Sequence, residues 1–232
     1  MKKAPTALLV AGGVLTASAV ALAVGVGGPT SHVERTSAQT PVRTVTQGTA
    51  ATTAVAPNAY TVKIVGQYQS KNSWCVPTAS SISLRSFGIT VSQTTLAKKM
   101  GTTSKGTWAK TAVPVLNSYV RSKTSTYRTG DDISSGAKLM NLVAGDVGVL
   151  HRATVLGVWI DDLPWSGKGW KNNTGHAIVI YGYNKSKGTI TVWDPWKMTN
   201  GKKTGGTHVI SAKKLAAVSQ KGGMYYIIHR IL

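Results

Sequence analysis

The chain has 232 residues, of which 42% are hydrophobic and 15% are charged. This length fits one ordinary domain with additional sequence, and the hydrophobic fraction excludes a wholly disordered protein. Lysine and arginine number 27 against 7 aspartates and glutamates, which gives a formal charge of +20. Few carboxylates are therefore available for chemistry.

The positive charge indicates which molecules the protein can bind. After removal of residues 1–40, 24 basic and 6 acidic residues remain, so the charge is still +18. Such a field attracts polyanions, and we expect anionic cell-wall polymers to bind the basic surface. The basic residues are scattered rather than packed in runs with aromatic residues, so we expect no specific nucleic-acid binding. Nothing in the sequence predicts an oligomer, and we expect a monomer.

The N-terminus has the pattern of a secretory signal. A Met-Lys-Lys start precedes an uncharged stretch over residues 7–26, and this order is typical of a signal peptide, which we place at residues 1–28. We therefore expect a secreted, extracellular protein. The apolar stretch is also nearly long enough to span a bilayer, so the alternative is an uncleaved anchor that tethers the protein to the outer face of the membrane.

Residues 29–58 differ in composition from the rest of the chain. They are rich in Thr, Ala, Pro and Gln and lack aromatic residues, which indicates a disordered linker or a propeptide. The aromatic residues begin again at Tyr60, where alternation over residues 60–69 predicts a short strand or an extended lead-in. We place the folded domain at residues 59–232.

Two kinds of pattern follow one another in this domain. Helical spacing and capping residues predict four helices, over residues 76–87, over 92–101 with Ser92 as the cap, through 112–119, and from Asp131 or Asp132 to 143. Apolar runs then predict strands over residues 147–150, 153–160, 176–183, 189–193 and 224–229. The intervening residues 161–175 indicate a long loop. Helices placed ahead of an antiparallel sheet define an α+β architecture.

Cys75 is the only cysteine, so it cannot form a disulfide within the chain. It stands where a polar loop turns into a predicted helix, at the positive end of the helix dipole, which stabilises a thiolate. We interpret Cys75 as a nucleophile, and the alternative is a buried, inert thiol. Gln69 lies six residues upstream, and its amide could donate to an oxyanion beside the backbone N–H of Cys75. Gln67 is the rival for this role.

A histidine and an aspartate meet in a predicted hairpin. His176 stands at the mouth of an apolar strand, and a turn centred on Lys185 sets it opposite Asp194 on the next strand. The same register pairs Ile180 with Ile190, so the apolar residues share one face with this pair. A change of one residue in register would move Asp194 to the other face. Asp194 is also the only acidic residue after His176.

These residues carry a resemblance to a known family. The glutamine six residues before the cysteine, the Gly-His of a strand, the Gly-Tyr at 182–183 and the Trp-Asp-Pro at 193–195 resemble the papain-like cysteine peptidases. The likeness is to the C39-like, bacteriocin-leader-processing (double-glycine) peptidase domain of bacterial exporters and its secreted, stand-alone forms, over about residues 60–232. It implies a helical half, with the cysteine at a helix start, packed against a C-terminal antiparallel sheet half. It also implies four roles: Cys75 as nucleophile, His176 as base, Asp194 as the residue that orients the histidine, and Gln69 as oxyanion donor.

Two features depart from that family. Val76 follows the nucleophile where the family usually has glycine, so we expect less room for a substrate backbone. The sequence also shows no transporter or ATP-binding segment, so the double-glycine leader of the exporters is not assumed as the substrate.

The sequence thus predicts a secreted cysteine peptidase that hydrolyses a peptide or protein substrate. No cofactor or metal is expected, since the remaining histidines lack the spacing and the cysteine partners of a zinc site. Two alternatives stay open. One is a non-catalytic, cationic protein of the same fold that binds a cell wall or surface. The other is a peptidoglycan amidase or transpeptidase that uses the same thiol.

Overall fold

An antiparallel sheet carries most of the strands in the folded chain. The structure, a computed structural model, describes residues 54–167, 169–170, 173–199 and 201–229. The strands within these residues are β1 (Ala59–Thr61), β2 (Ser125–Arg128), β3 (Thr154–Trp159), β4 (Gly175–Asn184), β5 (Thr189–Asp194), β6 (Met198–Thr199), β7 (Lys202–Lys203), β8 (Gly206–Ser211) and β9 (Ser219–His229). Six strands of the sheet follow the order β2-β9-β3-β4-β5-β8, β1 pairs with β4 as the seventh, and β6 and β7 pair separately.

Helices cover both faces of this sheet. They are α1 (Cys75–Arg85), α2 (Gln93–Lys99), α3 (Ala109–Val120), α4 (Gly136–Val143) and α5 (Ala212–Val218). Because side chains alternate along a strand, the sheet contributes residues to two separate cores. One core joins the sheet to α1, α2 and α3 and includes Ala79, Leu96, Leu116, Val155 and Val179. The other joins it to α4 and α5 and includes Leu139, Leu215, Ile178, Ile180 and Val192.

The predicted α+β class is confirmed, with α1, α2 and α3 ahead of most of the sheet strands. The first helix begins at Cys75, one residue before its predicted start. The second begins after Ser92, whose hydroxyl accepts the N–H of Thr95 as expected of a cap.

The predicted start of the fourth helix is wrong. It begins at Gly136 rather than at Asp131 or Asp132. Ser135 is its cap and accepts the N–H of Lys138. Asp132 lies ahead of the helix and forms an ion pair with Lys138 instead.

The strand predicted over residues 147–150 is also wrong. Most of this segment lies in a π-helical turn, Ala144–Val149, and a short apolar run can be a buried helical segment as well as a strand. Val147 is fully buried, and the buried Asp146 accepts the N–H of Ile227 at 3.1 Å. The turn is thereby tied to β9.

The sequence patterns predict neither the strand β2, nor the edge strand β8, nor the short helix α5. In β8 only Gly206 and Ile210 are buried, so no apolar run marks this strand in the sequence. The helix α5 has seven residues, with Ser211 as a cap that accepts the N–H of Lys214.

The β4–β5 hairpin has a register that differs from the predicted one. Near the turn, which spans residues 185–188, Tyr183 lies opposite Ile190, and beyond a β-bulge Ile180 lies opposite Val192. The predicted partner of Ile180 is Ile190, so the prediction is wrong by two residues there. A shift of two residues keeps each side chain on its predicted face, and Ile180 and Val192 do share one core.

The described fold begins slightly before the predicted boundary. The carbonyl of Pro57 accepts the hydroxyl of Tyr183 at 2.7 Å, and the carbonyl of Asn58 accepts the N–H of Lys185 at 2.8 Å. The last residues of the predicted linker are therefore bound to the β4–β5 hairpin.

The predicted signal peptide over residues 1–28 lies outside the described residues, and so do residues 29–53 of the predicted linker. Where the structure describes the chain, no helix is both long and apolar enough to cross a bilayer. Export stays a prediction.

Candidate active site

Cys75 is the first residue of α1, and its thiol is free and partly exposed. The preceding residue, Trp74, provides no side-chain cap, so the amides of the first turn are not taken up by a capping side chain. Val76, by contrast, is buried in the core between α1 and the sheet. The branched side chain that was expected to narrow the cleft is therefore taken up by the core.

A buried histidine–aspartate pair lies beside Cys75. His176 is the second residue of β4, and Asp194 is the last residue of β5. Their side chains are 3% and 2% exposed, and the Nε2–H of His176 donates to Oδ1 of Asp194 at 2.7 Å. This bond leaves Nδ1 of the ring free of Asp194, and Cys75 lies close enough to His176 to contribute to the rise in its pKa. The structure thus brings these three predicted residues together.

Opposite charges stabilise each other inside this pair. Although burial alone lowers the pKa of His176, the Asp194 carboxylate raises that pKa from 6.5 to about 10, with a smaller contribution from Cys75. Burial likewise opposes the charge of Asp194, but the charge and hydrogen bond of His176 hold the pKa of Asp194 below its usual range. The pair therefore contributes stability at neutral pH. That contribution is lost as the pH rises through about 10, and also as it falls through the lowered pKa of Asp194.

Two further donors reach the Asp194 carboxylate. The backbone N–H of Trp196 donates to Oδ1 at 2.8 Å, and the indole N–H of Trp165 donates to Oδ2 at 2.8 Å. The sequence pattern predicts a loop around Trp165 and gives this residue no role. No local signal could reveal its bond, because Trp165 and Asp194 are 29 residues apart.

Gln69 is tied to the same end of β5. Its backbone N–H donates to the carbonyl of Pro195 at 2.9 Å. Its side-chain amide donates to the carbonyls of Lys71 and Asn72, both at 2.9 Å, and its Oε1 is buried without a hydrogen-bond partner among the described residues. Both amide hydrogens face the loop, so Gln69 can serve an oxyanion only by exchanging one of these bonds.

Gln67, the other candidate for the oxyanion donor, links the segment before α1 to α1 and to β5. Its Nε2 donates to the hydroxyl of Ser81 in α1 at 2.8 Å, and its carbonyl accepts the indole N–H of Trp193 at 3.0 Å. The neighbouring Gly66 permits this close approach, since a Cβ there would lie 2.7 Å from atoms of the Trp193 ring. The side chain of Gln67 is therefore bonded to α1, whereas that of Gln69 is bonded to carbonyls of its own loop.

Gln93, at the start of α2, braces the loop that carries Gln69. Its Oε1 accepts the backbone N–H of Ser70 and the hydroxyl of Thr78, both at 2.9 Å. Its Nε2 donates to the carbonyl of Tyr68 at 3.1 Å. One side chain, for which the sequence has no signal, therefore links this loop to α1.

Comparisons with known proteins place the chain among peptidases. The family model described as "Peptidase_C39 like family" matches residues 59–218. Among solved structures, a putative C39-like peptidase from Bacillus anthracis is 15% identical with a TM-score of 0.52, and the match covers 72% of this chain and 96% of that one. A comparison with curated protein sequences gives no match.

Two other solved structures are similar at lower scores. The peptidase domain of Streptococcus ComA, a bifunctional ABC transporter involved in quorum sensing, is 16% identical with a TM-score of 0.46, and 73% of this chain and 96% of that one are covered. Xylellain, a cysteine protease from Xylella fastidiosa, is 10% identical with a TM-score of 0.48, and 76% and 87% are covered.

The fold and the family match define a papain-like cysteine peptidase of the α+β class. The chain belongs to the Peptidase_C39 like family, whose model covers more than half of its residues. The family predicted from the sequence is confirmed, and the Bacillus anthracis structure supports the shared fold.

We expect the Asp194→Asn substitution to lower the pKa of His176. The carboxylate is what raises that pKa to about 10, so without it burial should bring the pKa down by about one to three pH units. NMR titration of the histidine ring signals measures this, with His176→Ala to identify the signal. An unchanged titration of His176 in the Asp194→Asn protein would contradict the electrostatic coupling of the pair.

Proposed function

We propose that this peptidase hydrolyses peptide bonds with Cys75 as nucleophile, His176 as general base and acid, and Asp194 as the residue that orients the histidine. The observation that carries the proposal is the buried His176–Asp194 pair beside a thiol at a helix start. A nucleophile, a base within hydrogen-bonding reach and a third group that orients the base are the parts of a catalytic triad.

The reaction follows from these positions. On this proposal the proton of Cys75 already resides on Nδ1 of His176 before substrate binds, and the sulfur attacks the peptide carbonyl carbon while the C=O π electrons move to the oxygen. His176 then gives its proton to the leaving nitrogen as the C–N bond breaks, which leaves a thioester. Water attacks the thioester and gives a proton to His176, and the carboxylic acid product leaves as Cys75 is restored. A pKa of about 10 keeps His176 protonated at neutral pH between turnovers.

Two donors are proposed for the oxyanion. The backbone N–H of Cys75 belongs to the first turn of α1, where amides have no helical partner. The support for Gln69 as the second donor is its backbone bond to Pro195, which keeps it at the end of β5. On this proposal, the Gln69 amide exchanges a loop carbonyl for the oxyanion when substrate binds.

The influence of Cys75 on the pKa of His176 supports catalysis over a purely binding role. A cationic surface protein has no need for a thiol within hydrogen-bonding reach of an imidazole. The basic surface supports an additional proposal, that anionic wall polymers bind this monomeric enzyme. Ion pairs among the described residues join only Lys138 to Asp132 and His176 to Asp194. The other described lysines are therefore not paired with a carboxylate and are available to such a partner.

Extracellular action is part of the proposal, and its support is the sequence pattern of residues 1–28. Expression of the full chain in a secretion-competent bacterium should yield a mature form in the medium that begins after a small-x-small site such as the one ending at Ala23. Mass spectrometry of the medium, membrane and cytoplasmic fractions measures this. An intact chain in the membrane would favour the anchor, and an intact chain confined to the cytoplasm would contradict both.

The Cys75→Ala protein should not hydrolyse peptides, because the chain has no second thiol. Iodoacetamide should likewise abolish turnover by the wild-type protein and modify Cys75. The measurement is cleavage of a peptide library read by mass spectrometry, in parallel with release of fragments from purified peptidoglycan. Full activity of Cys75→Ala would refute the proposal, and release from the wall without library cleavage would favour the amidase.

Gln69→Ala and Gln67→Ala form a matched pair that tests the oxyanion donor. Loss of an oxyanion donor lowers kcat by about 100- to 1000-fold, so Gln69→Ala should lose kcat with little change in KM. Gln67→Ala, which loses the bond to Ser81, should lower the Tm and change kcat far less. Equal losses of kcat in the two variants would remove Gln69 from the oxyanion site.

A further inference from the structure

The indole of Trp165 is held from several sides. Its N–H donates to Oδ2 of Asp194 at 2.8 Å, and its ring stacks on His208, with centroids 4.1 Å apart and planes 3° from parallel. The flanking residues are anchored, because Leu163 and Ser166 are both buried. Ser166 donates through its N–H and its hydroxyl to the carbonyl of Leu163, at 3.2 and 3.0 Å. The position of this ring is therefore fixed by its own loop as well as by the carboxylate.

Trp165 differs from the two tryptophans that lie nearby. Trp170 and Trp196 pack edge to face with centroids 5.0 Å apart, and their indole N–H groups donate to backbone carbonyls at 3.1 and 2.7 Å. Of these three indoles, that of Trp165 reaches the Asp194 carboxylate.

We propose that Trp165 is a positioning residue of the active site, whose indole N–H fixes the Asp194 carboxylate in the orientation that holds the ring of His176. The inference rests on the proposed function, in which that ring acts on Cys75. Without a donor on Oδ2, the carboxylate keeps donors on Oδ1 alone and can turn about that oxygen. A buried, charged oxygen without a partner is also destabilised, so the carboxylate is driven to turn away from the orientation that holds the imidazolium.

The ring of His208 stacks on Trp165 in its neutral form. Its Nε2–H donates to the carbonyl of Thr204 at 2.9 Å, and burial holds the pKa of His208 below its usual value. A neutral ring can stack on the indole without placing a second positive charge near Asp194, where it would compete with His176.

The test is the rate at which iodoacetamide alkylates Cys75, followed against pH by mass spectrometry of the intact protein. The chain has one cysteine, so the same treatment of the Cys75→Ala protein gives the alkylation at all other side chains, and the difference reports on Cys75. Trp165→Phe removes the N–H but keeps an aromatic ring against His208. A lost hydrogen bond to a charged group corresponds to about a tenfold effect. We therefore expect the acid-side midpoint to rise by about one pH unit and the rate below it to fall about tenfold.

Trp170→Phe is the matched control, because it removes an indole N–H from the same cluster without touching Asp194. Its alkylation profile should equal that of the wild-type protein. If Trp165→Phe does not fold, incorporation of 3-benzothienylalanine at position 165 keeps the shape of the ring system and replaces the N–H with sulfur, and the same shift is expected. A profile at position 165 that superimposes on that of Trp170→Phe would overturn the inference.

A double substitution separates orientation of the carboxylate from general packing. In an Asp194→Ala background, Trp165→Phe should have no further effect on alkylation, because no carboxylate is left to hold. A further tenfold loss in that background would also overturn the inference. Failure of the proposed function looks different, since His176→Ala would then leave the alkylation profile of Cys75 unchanged.

Discussion

His176 and Asp194 meet at 2.7 Å inside the protein, and neither charged side chain is stable there without the other. Removing one partner of a buried ion pair costs about 3 to 5 kcal/mol, because the remaining charge stays buried without compensation. Neighbouring residues further stabilise the two charges. Asp194 accepts the N–H groups of Trp196 and Trp165 on its two oxygens, and the thiol of Cys75 interacts with the ring. The requirements of folding and those of the proposed chemistry thus fall on the same few atoms.

The sheet brings this pair together by means of a bulge. Near the turn, Ile190 lies opposite Tyr183 instead of its predicted partner Ile180, a shift of three residues. An odd shift carried along the strands would place the two side chains on opposite faces. The bulge between Ile180 and Gly182 absorbs one residue, so that Ile180 pairs with Val192, two residues from its predicted partner. The local irregularity therefore restores the face on which the histidine and the aspartate meet.

Sequence reasoning succeeded where the signal is local or carried by a motif. The helix start at Cys75, the cap at Ser92, the central strands and the family all belong to this kind. It failed where segments distant in the chain decide the outcome: Trp165 and Gln93 bind partners 15 or more residues away, and no short pattern encodes such bonds. Residues 147–150 illustrate a third case. A short, buried apolar run is compatible with a strand and with a helix, and only the packing of the folded chain decides between them.

Three successive residues at the end of β5 bind the segment before α1 and the side chain of His176. The indole N–H of Trp193 donates to the carbonyl of Gln67, Asp194 accepts the N–H of His176, and the carbonyl of Pro195 accepts the N–H of Gln69. The segment that leads to Cys75 and the side chain of His176 are thus aligned by a single short length of backbone rather than by independent supports. A disturbance that displaces this strand end would misalign both of them together, so loss of activity on heating or mutation of the strand would be abrupt.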